Sequence, residues 1–290
     1  MALPKTAVAI LVILPRRFNP QDVNPWAGWQ FLDQNRIERA NKNFSVTAEG
    51  REVAILPLVM VNSSFSLFDF GCWLVVFLIS LSTHEAAHAF TAQRLGDVTG
   101  YLGGQVTLNP VPHIRREPWG MLIIPILSYI SSGWMIGWAS APYNSAWAER
   151  YPKRAALMAM AGPAANFAIA LVSWCGLKLG LLAGTFVPGD GWRFSDAVAS
   201  VEPGTWAVIA SLLSIGFSLN VLLGVFNLLP LPPLDGSALP LFFLHGEIAR
   251  SYQRFSRSAA PAMLGIFVAW QFFPRIYRPV YAWLESTLRG

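Results

Sequence analysis

The 290 residues are 54% hydrophobic and 13% charged, with net charge +5, a pI near 9.5 and a mean hydropathy of +0.43. A soluble domain carries about 25% charged residues, and half that charge cannot cover a water-facing surface. The high hydrophobicity excludes disorder, and aperiodic Gly and Pro with only two cysteines exclude collagen-like and disulfide-scaffold chains.

What remains is an all-α polytopic membrane protein with about four to six membrane segments. At the N-terminus, Lys5 precedes the apolar run Thr6–Leu14, but Pro15-Arg16-Arg17 follows without a small-residue cleavage site. That run and Val53–Val61 are too short to span, so residues 1–65 read as an N-terminal extension. A core is expected over residues 66–258. Its first membrane segment is Phe68–Phe90. Gly96–Arg116 holds four glycines and the β-prone Val98, Thr99, Tyr101, Val106 and Thr107, which predicts a short β-hairpin followed by a turn at Asn109-Pro110. Trp119–Ala139 is apolar but carries Pro125 and Gly133, so it either crosses or dips and returns. Ala155–Leu177 and Gly204–Leu229 are further spans. Residues 259–290 divide into a short apolar segment, Ala259–Phe273, and an amphipathic interfacial tail from Arg275.

Charge placement sets an expected orientation. The loop 141–154 carries Arg150, Lys153 and Arg154 against Glu149 and belongs on the cytoplasmic side; the loop 183–203, with Asp190, Asp196 and Glu202 against Arg193, belongs outside. The basic balance therefore reads as membrane topology; the chain has no nucleic-acid-binding motif. Cys72 and Cys175 lie far apart without CxxC spacing and read as free thiols.

The chemical signal is His84-Glu85-Ala86-Ala87-His88. On a helix, positions i and i+4 share a face, so two imidazoles can hold one metal while Glu85 reaches a water on it. Each ionisable group in an apolar segment costs about 2.5–3.5 kcal/mol by insertion scales, and such groups default to function. A catalytic zinc usually takes three protein ligands. Asp235 is the best candidate for the third, since it ends a long apolar segment where Pro230, Pro232 and Pro233 prevent a regular helix.

HEAAH in a membrane segment, then LNPVPHI, AGPAANF and NLLPLPPLDG in that order, is similar to the site-2 protease family of intramembrane zinc metalloproteases, in its compact subgroup without a PDZ domain. The likeness runs from about Phe68 to Gly236. It implies one catalytic Zn2+ on His84, His88 and Asp235, with Glu85 as acid/base, in a cell-membrane protein whose site opens toward the cytosol. The implied activity is hydrolysis of peptide bonds in or beside transmembrane segments, with a membrane-protein segment and the bilayer as partners. Arg115 departs from the pattern, which leads one to expect an acid after the His-Ile pair.

Other polar residues carry two readings each. Asn166 is either a helix-packing amide or one that holds substrate backbone or the oxyanion. Asn220 and Asn227 share a helix face, and Asn227 is the nearer to Asp235. His113 is a loop histidine or a proton-transfer group. Two other function classes compete: a non-catalytic pseudoprotease that binds membrane helices, and a proton-coupled transporter, which would spread its polar residues along several spans.

Overall fold

The computed structural model describes residues 66–189 and 194–289, together with a short antiparallel strand pair, β1 (Val46–Ala48) and β2 (Arg51–Val53). The apolar run 6–14, most of the run 53–61, and Asp190 and Arg193 lie outside the described residues.

Helix α1 (Leu67–Arg94) begins where the Ser66 hydroxyl accepts the Asp69 amide, with Asp69 in its first turn and Arg94 in its last. Both charges complement the helix dipole. Its 28 residues are apolar enough to cross a membrane.

The segment after α1 is not a hairpin. Gly96–Arg116 instead folds into two short helices, α2 (Thr99–Leu102) and α3 (Pro110–Arg116). The buried Asp97 carboxylate accepts the Thr99 amide and hydroxyl and the Asn144 amide. This local closure curls the β-prone run, which has no second strand to pair with. Asn109-Pro110, read as a turn, is a helix start: the Asn109 side chain accepts the Val111 amide and Pro110 occupies the first turn.

Residues 119–139 fold back on themselves. A π-helical turn (Trp119–Ile123) runs into α4 (Ile124–Ser132), and the chain reverses after Gly133 in an extended stretch. The Trp138 amide then donates to the Gly120 carbonyl at 3.1 Å. A Cβ at Gly137 would collide with that carbonyl, so the close approach requires glycine. Of the two expected courses, the chain dips and returns.

Asn144 caps α5 (Ser145–Arg150), and α6 (Pro152–Leu182) is the second long span. The one sheet with described side chains lies at the far end of α6, where β3 (Phe186–Pro188) pairs antiparallel with β4 (Val198–Ser200). Helix α7 (Thr205–Asn227) is the third span. It ends at the proline-rich stretch, which delivers a 3-10 helix (Asp235–Phe242). Helix α8 (Gly246–Ser256) follows.

The C-terminal region is helical on both sides of the boundary expected between the apolar segment and the tail. Helix α9 (Ala259–Arg289) is one helical stretch, bent by 49° between residues 259–269 and 271–288. It starts beside α8, whose Arg257 and Gln253 side chains hydrogen bond to α5 at Glu149 and the Ala148 carbonyl. It ends against the far end of α6. There Trp174 donates to the Thr287 hydroxyl at 2.9 Å, and the Lys178 ammonium donates to the Thr287 and Leu288 carbonyls at 3.0 Å. A cation on the last free carbonyls is a favourable helix end. Residues from Arg275 onward thus form the second arm of a bent helix, and the two arms together are apolar enough to count as one broken span or a re-entrant pair. Among the described residues three helices can span, or four with α9.

Helices α1, α6 and α7 form the centre. Phe77, Leu81, Leu177, Ile215, Leu219, Leu222 and Leu223 are fully buried there, while Val75, Ile79, Leu171, Val172 and Leu179 stay exposed on outer faces suited to lipid. Cys72 is buried, Cys175 is exposed, and both are free thiols.

The crossing of α9 is testable by cysteine labelling. With Cys72 and Cys175 replaced by Ala, Ser251→Cys and Ser286→Cys should react with an impermeant thiol reagent from opposite faces of the membrane. Labelling of both from one face would restore the interfacial tail.

Candidate metal and catalytic site

His84, Glu85, His88 and Asp235 are all at least 96% buried, and they meet where α1 faces α6 and the turn after α7. The helical i, i+4 spacing stacks the two imidazoles edge to face, 4.6 Å between ring centres. The proline-rich turn brings Asp235 to them across 147 positions, a separation counted from His88 to Asp235. His84 Nε2 lies 3.0 Å from His88 Nε2 and 3.1 Å from Asp235 Oδ2, and His88 Nε2 lies 3.4 Å from the same oxygen. Four donors at the usual zinc bond lengths on a tetrahedron sit about 3.3 Å apart. The triangle therefore has the right size.

The donor chemistry agrees. His88 Nδ1 faces the Met158 carbonyl at 2.8 Å and His84 Nδ1 faces Asn166 Oδ1 at 2.5 Å. Both oxygens only accept, so both Nδ1 atoms carry the proton and both Nε2 atoms present a lone pair. Two lone pairs and a carboxylate oxygen then point at one place, an arrangement that a cation stabilises. Room for it depends on Gly162 of α6, because a Cβ there would collide with Nε2 of both histidines.

Glu85 belongs to the same group. A ligand atom from each of His84, Glu85 and His88 lies within 4.8 Å of the others, a set able to hold a metal ion. Both Glu85 carboxylate oxygens are buried, with the Ala141 backbone beside them as a hydrogen-bonding neighbour.

Asn166 does not face an open groove. Its oxygen contacts His84, and its amide nitrogen donates to Asn220 Oδ1 at 2.8 Å. Asn227 donates to the Leu223 carbonyl at 2.9 Å and keeps a buried Oδ1 without a hydrogen bond. His113 hydrogen bonds to the Thr107 carbonyl at 2.9 Å and no hydrogen bond or ion pair links it to the cluster among the described residues. Burial holds its imidazole below the usual range, and the Thr107 carbonyl only partly opposes this. Arg115 remains a departure from the pattern; two positions on, Glu117 accepts the Ser140 hydroxyl and ties α3 to the extended stretch.

Sequence reasoning missed Gly162, Met158 and Ser80. It also ranked Asn227 above Asn220. A glycine at the start of a small-residue face was the one legible hint, since such faces mark close helix approach. A cavity of about 70 Å³ lies beside Asp235, lined by Tyr143, Met158, Ser237, Tyr252 and Arg257. Water thus has room on the α5–α8 side.

Comparison with known proteins agrees with this geometry. The family described as Peptidase family M50 matches residues 72–270. A Bacillus subtilis protein named "Putative zinc metalloprotease YwhC" is 31% identical over 163 residues, covering 56% of this chain and 64% of that protein. The Mycobacterium tuberculosis protein named "Putative zinc metalloprotease Rip2" is 33% identical over 194 residues, 66% of this chain and 64% of the relative. The Rip2 of Mycolicibacterium smegmatis is 32% identical over 192 residues, with the same coverage. The matched region thus spans just under two thirds of the length of these relatives. No solved structure matches.

Gly162→Ala tests the site directly. The added methyl should lower Zn2+ affinity at least about tenfold, the scale of perturbations next to metal ligands, while the helical circular dichroism of the purified protein is retained. Unchanged Zn2+ affinity would place the metal elsewhere.

Proposed function

The chain belongs to peptidase family M50, and from that premise we propose that it is a zinc-dependent intramembrane endopeptidase. The observation that carries this reading is the buried meeting of His84 Nε2, His88 Nε2 and Asp235 Oδ2 within 3.4 Å of one another, with the Glu85 carboxylate alongside. In this reading the three residues hold one zinc ion. When bound, zinc supplies Lewis acidity toward a water molecule and the scissile carbonyl.

The chain's own residues do the rest. Glu85 takes a proton from the attacking water as the C–O bond forms, and returns it to the amide nitrogen as the C–N bond breaks. Its carboxylate stands beside the Ala141 backbone and within 4.8 Å of both imidazoles, close enough to serve a water held there. Asn166 is engaged by His84 through its oxygen and by Asn220 through one N–H, which makes support of His84 its main part in this reading. Asn227 offers a buried acceptor, Oδ1, which suits a substrate backbone N–H better than an oxyanion.

The substrate is a segment of another membrane protein. A spanning helix hides its carbonyls in i to i−4 bonds, so the segment unwinds locally before it is cut. The site sits near the basic end of the molecule. His88 is six residues from Arg94, about 9 Å along a helix, and Arg150, Lys153, Arg154, Arg250, Arg254 and Arg257 belong to elements at that end. In this reading the positive-inside rule turns this end toward the cytosol, with the protein in the cell membrane and its site open to that side.

Two outcomes are expected from purified protein and a membrane-segment substrate. Glu85→Gln should slow cleavage about 10²–10⁴-fold, the usual contribution of general acid–base catalysis, yet keep zinc. His84→Ala, His88→Ala and Asp235→Ala should lose zinc and activity together, as judged by metal content per chain. Loss of zinc in Glu85→Gln would make Glu85 a ligand and overturn its role. Residues 1–65 supply no ligand in this reading, so a chain starting near Ser64 should still insert, bind zinc and cleave. A well-inserted, zinc-loaded truncation without cleavage would give the extension a part in substrate entry.

A further inference from the structure

Helices α1, α6 and α7 are joined by an unbroken line of hydrogen bonds through fully buried side chains. Asn220 of α7 donates from Nδ2 to the Ser80 hydroxyl and to the Gly216 carbonyl, both at 2.8 Å. Its Oδ1 accepts from Asn166 Nδ2 of α6 at 2.8 Å, and Asn166 Oδ1 faces His84 Nδ1 of α1 at 2.5 Å. Ser80, His84, Asn166 and Asn220 are each 0% exposed.

The line has a direction, and one atom sets it. The Gly216 carbonyl can only accept, so the nitrogen end of the Asn220 amide must face it. The oxygen end of Asn220 then faces Asn166, which turns the nitrogen of Asn166 toward Asn220 and its oxygen toward His84. An oxygen opposite Nδ1 requires the proton on Nδ1, which frees Nε2. His88 reaches the same state in one step, through the Met158 carbonyl. An amide is nearly symmetric in shape, so Asn166 without Asn220 could rotate by half a turn. It would then present N–H to Nδ1, drive the proton to Nε2, and close the lone pair that faces Asp235 and His88.

The geometry points to Asn220 as a positioning residue: acting through Asn166, it holds His84 in the tautomer whose Nε2 binds the metal. The inference rests on the proposed zinc reading and deepens it. It also separates two side chains that resemble one another. Asn166 needs its orientation set from outside, whereas a carboxylate in its place would not, because Asp has no donor end and faces Nδ1–H with an oxygen either way.

That difference supplies the test, with Zn2+ affinity of the full-length detergent-solubilised chain measured by competition with a chromogenic chelator. Asn220→Leu should weaken zinc binding about 10–100-fold, the scale for groups that orient metal ligands. Asn166→Asp alone should bind zinc more weakly than the unsubstituted protein, because its second oxygen then meets Asn220 Oδ1 acceptor to acceptor, a clash that Asn220→Leu removes. The double variant Asn166→Asp/Asn220→Leu should recover most of the loss, which repair of general packing damage would not produce. Should Asn220→Leu not accumulate, Asn220→Ala with and without Asn166→Asp makes the same comparison. Unchanged affinity in the Asn220 variant, or a double variant that binds no tighter than it, overturns the relay alone. An unsubstituted protein that binds no zinc overturns the metal reading, and the relay with it.

Discussion

Three packed apolar helices cannot hold two imidazoles and two carboxylates unless the polar atoms around them are assigned partners in a consistent direction. Desolvating a charge costs several kcal/mol per ion, and removing one partner of a buried pair costs about 3–5 kcal/mol. The interior around His84 and His88 answers this constraint through acceptors that cannot change role: the Met158 carbonyl for one ring, and the Gly216 carbonyl, by way of Asn220 and Asn166, for the other. The hydrogen-bond pattern of the bundle centre is organised around keeping two nitrogens available.

The same constraint governs packing. The imidazoles occupy space over Gly162 that a Cβ would take. Ala155, Ala156, Ala159 and Ala170 are buried on the same helix. Small residues there allow close helix approach in a medium where lipid tails offer no hydrophobic drive for association. Bulk is moved to the lipid-facing side, where Leu171, Val172, Leu179 and Leu182 are exposed. The far end of α6 is held by direct bonds from Trp174 and Lys178 to the last turn of α9. The near end is held by polar contacts among α5, α8 and the Asp235 segment, including the Tyr252 hydroxyl on the Ser237 carbonyl at 2.6 Å. The cavity beside Asp235 lies at the near end.

Residues 119–143 supply a wall that is neither span nor loop. Irregular backbone at membrane depth is tolerated where protein or water covers it. Here the Gly120 carbonyl takes the Trp138 amide, the Ser128 hydroxyl takes the Ile136 amide at 2.9 Å, and Arg116 donates to the Ser140 carbonyl at 3.0 Å. The stretch so held passes the Glu85 carboxylate at Ala141.

The sequence by itself determined the membrane class, the three long spans, the HExxH pair on one helix face and Asp235 as the distant acid, because each rests on local pattern: hydropathy over about 20 residues, the helical repeat, or prolines that end a helix. It misread the run after α1, where β propensity lost to the Asp97 closure and the Asn109-Pro110 cap, and it held no sign of the Trp174 and Lys178 contacts to the last turn of α9, which join positions more than 100 apart. Only the tertiary structure decided that 119–139 turns back, that Asn220 and not Asn227 is joined to the histidines, and that Gly162 leaves room for them. The reason is common to all three. Each depends on which groups from separate helices face one another, and on which of them can only accept a hydrogen bond, and neither is encoded in the spacing of residues along one chain segment.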